Sequence, residues 1–331
     1  MSDVNFDQLI ESIVERESLE KLSDLVKNSS DFEFEVFIQG DNKDIFWLAN
    51  DDPEFFKGIL MSSLIEFLDN LKKNDRDKIE EYSSSIFDRK FLYMQNAADQ
   101  VGDISDIIMR VEGGRYNKLY HSKDLEEITR LRLILKIFKS GWERYMLGIQ
   151  YLTPSKIFKN KRILALSARK LSMIKNKFLI DPKDYFDYIV VGDVVLIRSL
   201  FCFERDFGYY KKYKDAKDKA IEEIKKNNNL FGKDIKIVGV DNFNESIKDK
   251  SLYLKRFYSV INKGNYKKFE FDRVKRMIED FGLKIEFDEE SKSIDLSGAS
   301  SVRDFLKLYD ELYYKSTLSG NNMVASETEN L

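Results

Sequence analysis

Residues 131–152 read LRLILKIFKSGWERYMLGIQYL. Two runs, 131–138 and 145–152, are rich in branched and aromatic side chains and are separated by the turn residues Ser140-Gly141, a composition that suits pleated, largely buried strands. RILALSA (162–168), FDYIVVG (186–192) and VVLIRSL (194–200) repeat the pattern, punctuated by Pro154-Ser155, Asp181-Pro182 and Gly192-Asp193. The spacing predicts an antiparallel meander at the centre of the chain. Upstream, helical periodicity runs over residues 6–28 with a break near Glu17-Ser18, a hairpin is expected from EFEVFIQG and DIFWLAN, and a helix from Asp52-Pro53-Glu54 to about Lys73, with Pro in the first turn and Lys at the end. RKFLYMQ (89–95) reads as an edge strand.

Downstream the pattern turns helical again. FCFERDFGYYKKY leads into a charged helix over 213–227 that stops at Asn227-Asn228-Asn229. SLYLKRFYSVINKGN reads as a helix with a glycine stop and EFDRVKRMIEDFGL as a second; LKIEFDEESKSIDLSG reads as a hairpin and SSVRDFLKLYDELYY as a closing helix. Helix, helix, two-stranded wing is the order of a winged-helix-like module. The fold class expected is α+β: an N-terminal helical and hairpin region, a central antiparallel β-rich domain with flanking helices, and a C-terminal helix-helix-hairpin-helix module. The corresponding segments are an acidic region 1–129, a β-rich core 130–229, and a basic module 230–331 with a short flexible tail.

Composition narrows the chemistry. The 331 residues are 43% hydrophobic with 25 Phe and 17 Tyr, which is the makeup of a folded globule rather than a disordered chain. The N-terminus is acidic and lacks an apolar h-region, and no stretch approaches the roughly 18 uncharged apolar residues of a membrane span; the expectation is a soluble, cytoplasmic protein. One Cys, Cys202, allows no internal disulfide and one His, His121, supplies no relay or zinc set. His121 before Ser122 reads as a surface residue at a helix start, and Cys202 as a buried, inert thiol. Walker-type Gly-x-x-x-x-Gly-Lys is absent, Gly113-Gly114-Arg115 is a turn signal only, and Asp75-Arg76-Asp77 and Glu286-Phe287-Asp288-Glu289-Glu290 read as a solvated loop and a hairpin turn. No catalytic residue, metal ligand or cofactor is expected.

Charge is the informative signal. Residues 1–143 carry 19 Lys and Arg against 30 Asp and Glu, whereas residues 144–331 carry 36 against 28, so halves of −11 and +8 lie behind an overall −3. Between Glu143 and Asp181 there is no carboxylate but nine cations, among them Arg144, Lys159, Lys161, Arg169, Lys170, Lys175 and Lys177. A second block holds Lys255, Arg256, Lys263, Lys267, Lys268, Arg273, Lys275 and Arg276, with Tyr253, Phe257, Tyr258, Tyr266 and Phe269 interleaved. Cations for phosphates and aromatics for stacking or packing make a nucleic-acid surface. An acidic protein partner, including residues 1–143 of the same chain, is the competing explanation. The second block lies on expected helices and a Gly-stopped loop, from which side chains reach a groove more easily than from between strands, so it is expected to dominate DNA contact; Arg169, Lys170, Lys175 and Lys177 of the acid-free run are expected to contribute to it, and Lys159 and Lys161 to matter more to self-association.

The stretch LSARKLSMIKNKFLIDPKDYFDYIVVGDVVLIRSLFCFERDF, with Phe186-Asp187 leading a strand pair and Phe203-Glu204-Arg205-Asp206-Phe207 following it, resembles the core of the KwaB-like proteins of Kiwa anti-phage systems. FGLKIEFDEESKSIDLSG, FLKLYDELYYKSTLSG and the Ser316–Gly320 close are similar as well; the resemblance covers about residues 130–320, and NNMVASETENL beyond it lacks a basic tail. What the resemblance implies is a non-enzymatic defence protein. It would bind DNA and pair with a small multi-spanning membrane subunit, KwaA-like, that recruits it to the inner membrane face, restraining phage replication; a homodimer is expected. In the signature, Phe203 and Phe207 at i,i+4 spacing are expected in the core, and Glu204 and Arg205 as a buried or interfacial pair. A metal-dependent nuclease and a protein-docking adaptor are the alternatives from other classes.

Overall fold

The structure is a computed structural model that describes residues 13, 15–28, 32–40, 46–48, 53–72, 79–83, 86, 91–94, 102–116, 130–139, 144–152, 157–158, 163–167, 170–174, 179–180, 182–226 and 231–325. They are α+β and divide into two units. Unit 1 comprises residues 1–82 and 90–207, and unit 2 comprises residues 83–89 and 208–331. The division falls after Phe207, whereas sequence alone set breaks after 129 and 229.

Unit 1 is built on an eight-stranded sheet. Its strands are β1 (Phe32–Gly40), β2 (Phe46–Leu48), β3 (Glu80–Glu81), β4 (Leu92–Met94), β5 (Leu131–Lys139), β6 (Met146–Leu152), β11 (Tyr188–Val191) and β12 (Val194–Ile197), in the spatial order β2-β1-β5-β6-β11-β12-β4-β3. The expected β1–β2 hairpin forms, and β1 pairs with β5 along its whole length, from Phe32 opposite Lys139 to Gly40 opposite Leu131. That pairing is why residues on both sides of position 129 share one sheet. The run 131–152 is indeed an antiparallel pair, and β6–β11–β12 extends it. RILALSA does not join: β8 (Ile163–Ser167) pairs only with β9 (Lys170–Ile174), and β7 (Ile157–Phe158) with β10 (Leu179–Ile180). Nor is β4 at the edge, because the two-residue β3 lies outside it.

Strand alternation sorts the side chains of β5 onto two faces. Leu131, Leu133, Leu135 and Ile137 enter a core with Leu19, Leu22 and Val26 of α1 (Arg16–Asn28) and Leu64, Phe67, Leu68 and Leu71 of α2 (Pro53–Lys72). The opposite face bears Arg132 and Ile134, both buried, near α3 (Asp103–Glu112) and α4 (Leu200–Asp206). Helices on both faces explain why β5 and β6 read as nearly continuous apolar runs. Gly148 in β6 makes room for the Phe186 ring, which a Cβ there would meet at 2.6 Å.

Unit 2 runs α5 (Tyr209–Lys226), β13 (Lys236–Val238), α6 (Val240–Ile247), α7 (Ser251–Lys263), a 3-10 turn (Asn265–Lys268), α8 (Phe271–Phe281), β14 (Glu286–Asp288), β15 (Ser293–Asp295), α9 (Ala299–Tyr309) and a final hairpin, β16 (Tyr313–Lys315) with β17 (Asn322–Val324). Phe231, Phe243, Phe257, Phe305 and Tyr309 form its aromatic centre, and α5 contributes Ala220, Ile221 and Ile224 to the same core. The helices α7 and α8 stop at Gly264 and Gly282, both left-handed at φ 66° and 59°, where glycine avoids the Cβ strain. The β14–β15 hairpin follows, but β13 adds in parallel to β15, giving a three-stranded sheet ordered β13-β15-β14.

Candidate functional site

The second basic block folds into α7, the 3-10 turn and α8 of unit 2, and its cations separate into two groups. On α7, Leu254, Phe257 and Val260 define the buried stripe, and Lys255 and Arg256 fall beside it, 5% and 9% exposed. The Lys255 ammonium donates to the carbonyl of Ile86. One carboxylate, that of the buried Asp310 just past α9, accepts from Arg256 Nη1 at 3.4 Å, Ser259 Oγ at 3.0 Å and Lys263 Nζ at 2.8 Å. Burial lowers the Arg256 pKa, against the pull of Asp310. These three cations were expected at the DNA surface; the structure corrects this. Helical spacing turns Lys255 and Arg256 inward, and Lys263 joins the Asp310 cluster, so their charges are spent inside the unit.

The second group faces outward. Lys267 and Lys268 on the 3-10 turn and Arg273 and Arg276 on α8 are exposed and have no carboxylate partner among the described residues. Arg273 and Arg276 stand three apart on one helix face, and the Arg276 guanidinium donates to the Asp272 carbonyl at 3.3 Å. Lys275 is different: it bonds Glu289 at 2.5 Å and lies 3.8 Å from Glu279, and the Glu289 hydrogen bond holds its pKa above the ordinary value. Of the acid-free run, Arg169, Lys175 and Lys177, like Lys159 and Lys161, lie outside the described residues, as does His121; Lys170 opens β9, and Arg144 is exposed just before β6. Of the twelve cations named from sequence, the structure therefore shows four, within ten residues of chain, as exposed and without a carboxylate partner among the described residues.

The signature segment forms a different kind of site, in unit 1. Phe203 and Phe207 are fully buried, their rings tilted against each other with centroids 4.6 Å apart and edge-on to Tyr188. Glu204 and Arg205 do not pair: Glu204 accepts from Tyr82 Oη at 2.9 Å, and Arg205 donates through Nε to Tyr151 Oη at 3.2 Å with its guanidinium over the Tyr151 ring, 3.7 Å from the centroid. On the helix, successive residues diverge by about a quarter turn or more, so adjacent side chains do not face each other.

The charged centre of this segment is Asp206, which sequence reasoning left unassigned. It is fully buried and accepts from Arg132 Nη2 at 2.7 Å, Tyr188 Oη at 2.6 Å and Tyr151 Oη. Sheet register assembles the rest, because Gln39, Arg132 and Tyr151 are opposed on three neighbouring strands, within cross-strand reach. Arg132 spends Nη1 on Gln39 at 2.9 Å, Nε on Tyr151 Oη at 2.5 Å, and Nη2 also on Asp103 at 2.5 Å. Burial, the largest single influence, would lower the Arg132 pKa, but Asp206 together with Tyr151 and Tyr188 outweighs it and the guanidinium is held above its ordinary value. Burial, reinforced by Asp206, raises the Tyr151 and Tyr188 phenols. Burial likewise pushes the Cys202 thiol up to about 12, which makes it inert at neutral pH. The signal available in sequence was an Arg and two Gln among the apolar residues of β1, β5 and β6, all three buried: Gln39, Arg132 and Gln150.

Phe186 and Asp187 lock the neighbouring turn. Asp187 accepts from Tyr151 N at 2.6 Å and from Lys183 Nζ at 2.7 Å, while Gln150 holds the Lys183 carbonyl at 2.9 Å. No group of three or more His, Cys, Asp or Glu side chains that could hold a metal occurs among the described residues.

The family model described as Kiwa protein KwaB-like matches residues 138–319, more than half of the chain, from the end of β5 through β16. It includes the signature segment, Asp206 and its two tyrosines, and all four outward cations. No match was found among curated proteins or among solved structures. With this span covered, the chain belongs to the KwaB-like family of Kiwa proteins, and its biology is Kiwa anti-phage defence.

Proposed function

We propose that this protein is the DNA-contacting, non-enzymatic component of its Kiwa system, and that Lys267, Lys268, Arg273 and Arg276 carry the contact. The supporting observation is that these four exposed cations, within ten residues of chain, have no carboxylate partner among the described residues. Unspent cations on a turn and one helix face can each neutralise a phosphate and release its counterions, a contact that needs no base recognition. The protein acts as a homodimer in the cytoplasm, drawn to the inner membrane face by a KwaA-like spanning partner, where holding phage DNA restrains its replication. Among the described residues no helix is long and apolar enough to cross a membrane, which is consistent with the partner supplying the attachment.

The test is a filter-binding titration of duplex DNA of arbitrary sequence at about 50 mM salt, where phosphate contacts are strong. Saturable binding with little difference between sequences is expected. Absence of binding would remove the DNA role and favour a protein-docking adaptor. A parallel incubation of plasmid with Mg²⁺ or Mn²⁺ should leave it intact; metal-dependent nicking abolished by one carboxylate substitution would make the protein a nuclease instead.

A further inference from the structure

A recess in unit 1 lies beside the Asp206 cluster, lined by Arg130, Arg132, Arg205, Tyr151 and Asp103 among others, with a volume of about 170 Å³. Three of its lining residues are arginines. Arg132 is consumed by its bonds to Gln39, Tyr151, Asp103 and Asp206. Arg205 is not. Its Nε donates to Tyr151 Oη and its plane rests on the Tyr151 ring, but among the described residues both terminal nitrogens lack a partner. Arg130, just before β5, lines the same recess as Arg132; it is exposed and has no ion pair among the described residues. Against Asp103 and Asp206 the three arginines leave a surplus of one positive charge.

We propose that this recess binds a phosphate-class oxyanion, with Arg205 and Arg130 as the donors and Arg132 as the fixed charge beneath them. The chemistry follows from the state of Arg205. A guanidinium fixed by an aromatic face and a single Nε bond has lost its rotamer freedom in advance, and its two terminal nitrogens present the parallel donors that an oxyanion accepts in bidentate fashion. Tyr151 is itself fixed by Asp206 and Arg132, so the platform under Arg205 is rigid. The recess is smaller than the roughly 300 Å³ at which pockets for drug-sized ligands begin, so it takes a compact head group, and the remainder of a larger ligand lies outside. Asp103 does not oppose this, because its carboxylate is already paired with Arg132. The recess is lined by unit 1 residues alone, whereas the four outward cations belong to unit 2, so it is a small-ligand site built from other residues than those assigned to DNA contact.

Isothermal titration calorimetry of the full-length protein, first with inorganic phosphate and then with deoxyadenosine monophosphate, decides the matter, with acetate as the comparison anion. Saturable phosphate binding is expected, reduced at least tenfold in Arg205→Gln and also weakened in Arg130→Gln, while Lys267→Glu/Lys268→Glu leaves it unchanged. Arg205 lies outside the Asp103 and Asp206 ion pairs, so its replacement spares the fold; an unaltered circular dichroism spectrum and melting temperature verify this. Tighter binding of the mononucleotide than of phosphate would assign the head group to a nucleotide, and equal binding to free phosphate. No saturable binding by the wild type, binding unaffected by Arg205→Gln, or acetate bound as tightly as phosphate would overturn the proposal. The unit 2 control keeps this result distinguishable from success or failure of the DNA reading.

Discussion

Asp206→Ala removes the one acceptor shared by Arg132, Tyr151 and Tyr188, and the size of the loss follows from what is left behind. Arg132 remains in the interior with Asp103, itself a quarter exposed, as its only carboxylate partner among the described residues. Leaving one partner of a buried ion pair uncompensated costs about 3–5 kcal/mol. Each stranded buried hydroxyl adds about 1–3 kcal/mol, although Tyr151 keeps its contacts with Arg132 and Arg205, so these losses overlap. The net expectation is about 4 kcal/mol, a large share of the roughly 5–15 kcal/mol typical of a folded protein. Urea unfolding followed by far-UV circular dichroism measures it, read on the unit 1 transition, because two units need not melt together. The double variant Arg132→Met/Asp206→Leu should recover part of the loss, since an apolar pair avoids the desolvation that a lone guanidinium suffers. A shift below about 1 kcal/mol for Asp206→Ala would show that the carboxylate is not the hub described, because exposed substitutions seldom exceed about 0.5 kcal/mol.

Gly148→Ala should destabilise unit 1 by about 1–3 kcal/mol, the usual overpacking cost, because its methyl would meet the Phe186 ring at 2.6 Å; an unchanged urea midpoint would contradict that packing. Tyr151 and Tyr188 titrate above their ordinary value in the fold, so the unfolded chain gives up those protons first, and stability should be intact below about pH 10 and fall as pH rises beyond it. Comparing unfolding at pH 9 and pH 11, Tyr188→Phe should show a shallower fall by up to about 1.4 kcal/mol per pH unit; an identical slope would refute the assignment. Lys255→Glu/Arg256→Glu should unfold or severely weaken unit 2, by about 3 kcal/mol or more, through buried charge reversal, whereas Lys267→Glu/Lys268→Glu should cost no more than about 0.5 kcal/mol. Equal melting temperatures for the two variants would show that Lys255 and Arg256 are exposed in solution.

Local chemistry was legible where a single element decides it. The β1–β2 and β5–β6 hairpins, the helix 53–72, the Gly264 and Gly282 stops and the burial of Phe203 and Phe207 follow from periodicity and turn residues. The placement of β8 beside β9 rather than in the main sheet did not follow, because an apolar run does not name its partner. The orientation of cations was the larger difficulty. Lys255 and Arg256 differ from Lys267 and Lys268 only in which way the helix or turn faces, and Asp310, 54 residues beyond Arg256, makes the difference. The Arg132–Asp206 cluster spans β1, β5, β6, β11, α3 and α4, so it needs the sheet register to align its strand residues and the two helices to bring Asp103 and Asp206 to them.

The central claim, that four outward cations of unit 2 hold DNA through its phosphates, is tested most directly by the salt dependence of binding. Log K against log[salt] should fall with a slope of about 0.9 per neutralised phosphate. In the Lys267→Glu/Lys268→Glu/Arg273→Glu/Arg276→Glu variant, with its melting temperature unchanged, that slope should be shallower by up to about 3.6, with affinity lowered well over tenfold. A variant that binds within twofold of the wild type and keeps the same slope would place the DNA contact elsewhere and contradict the account.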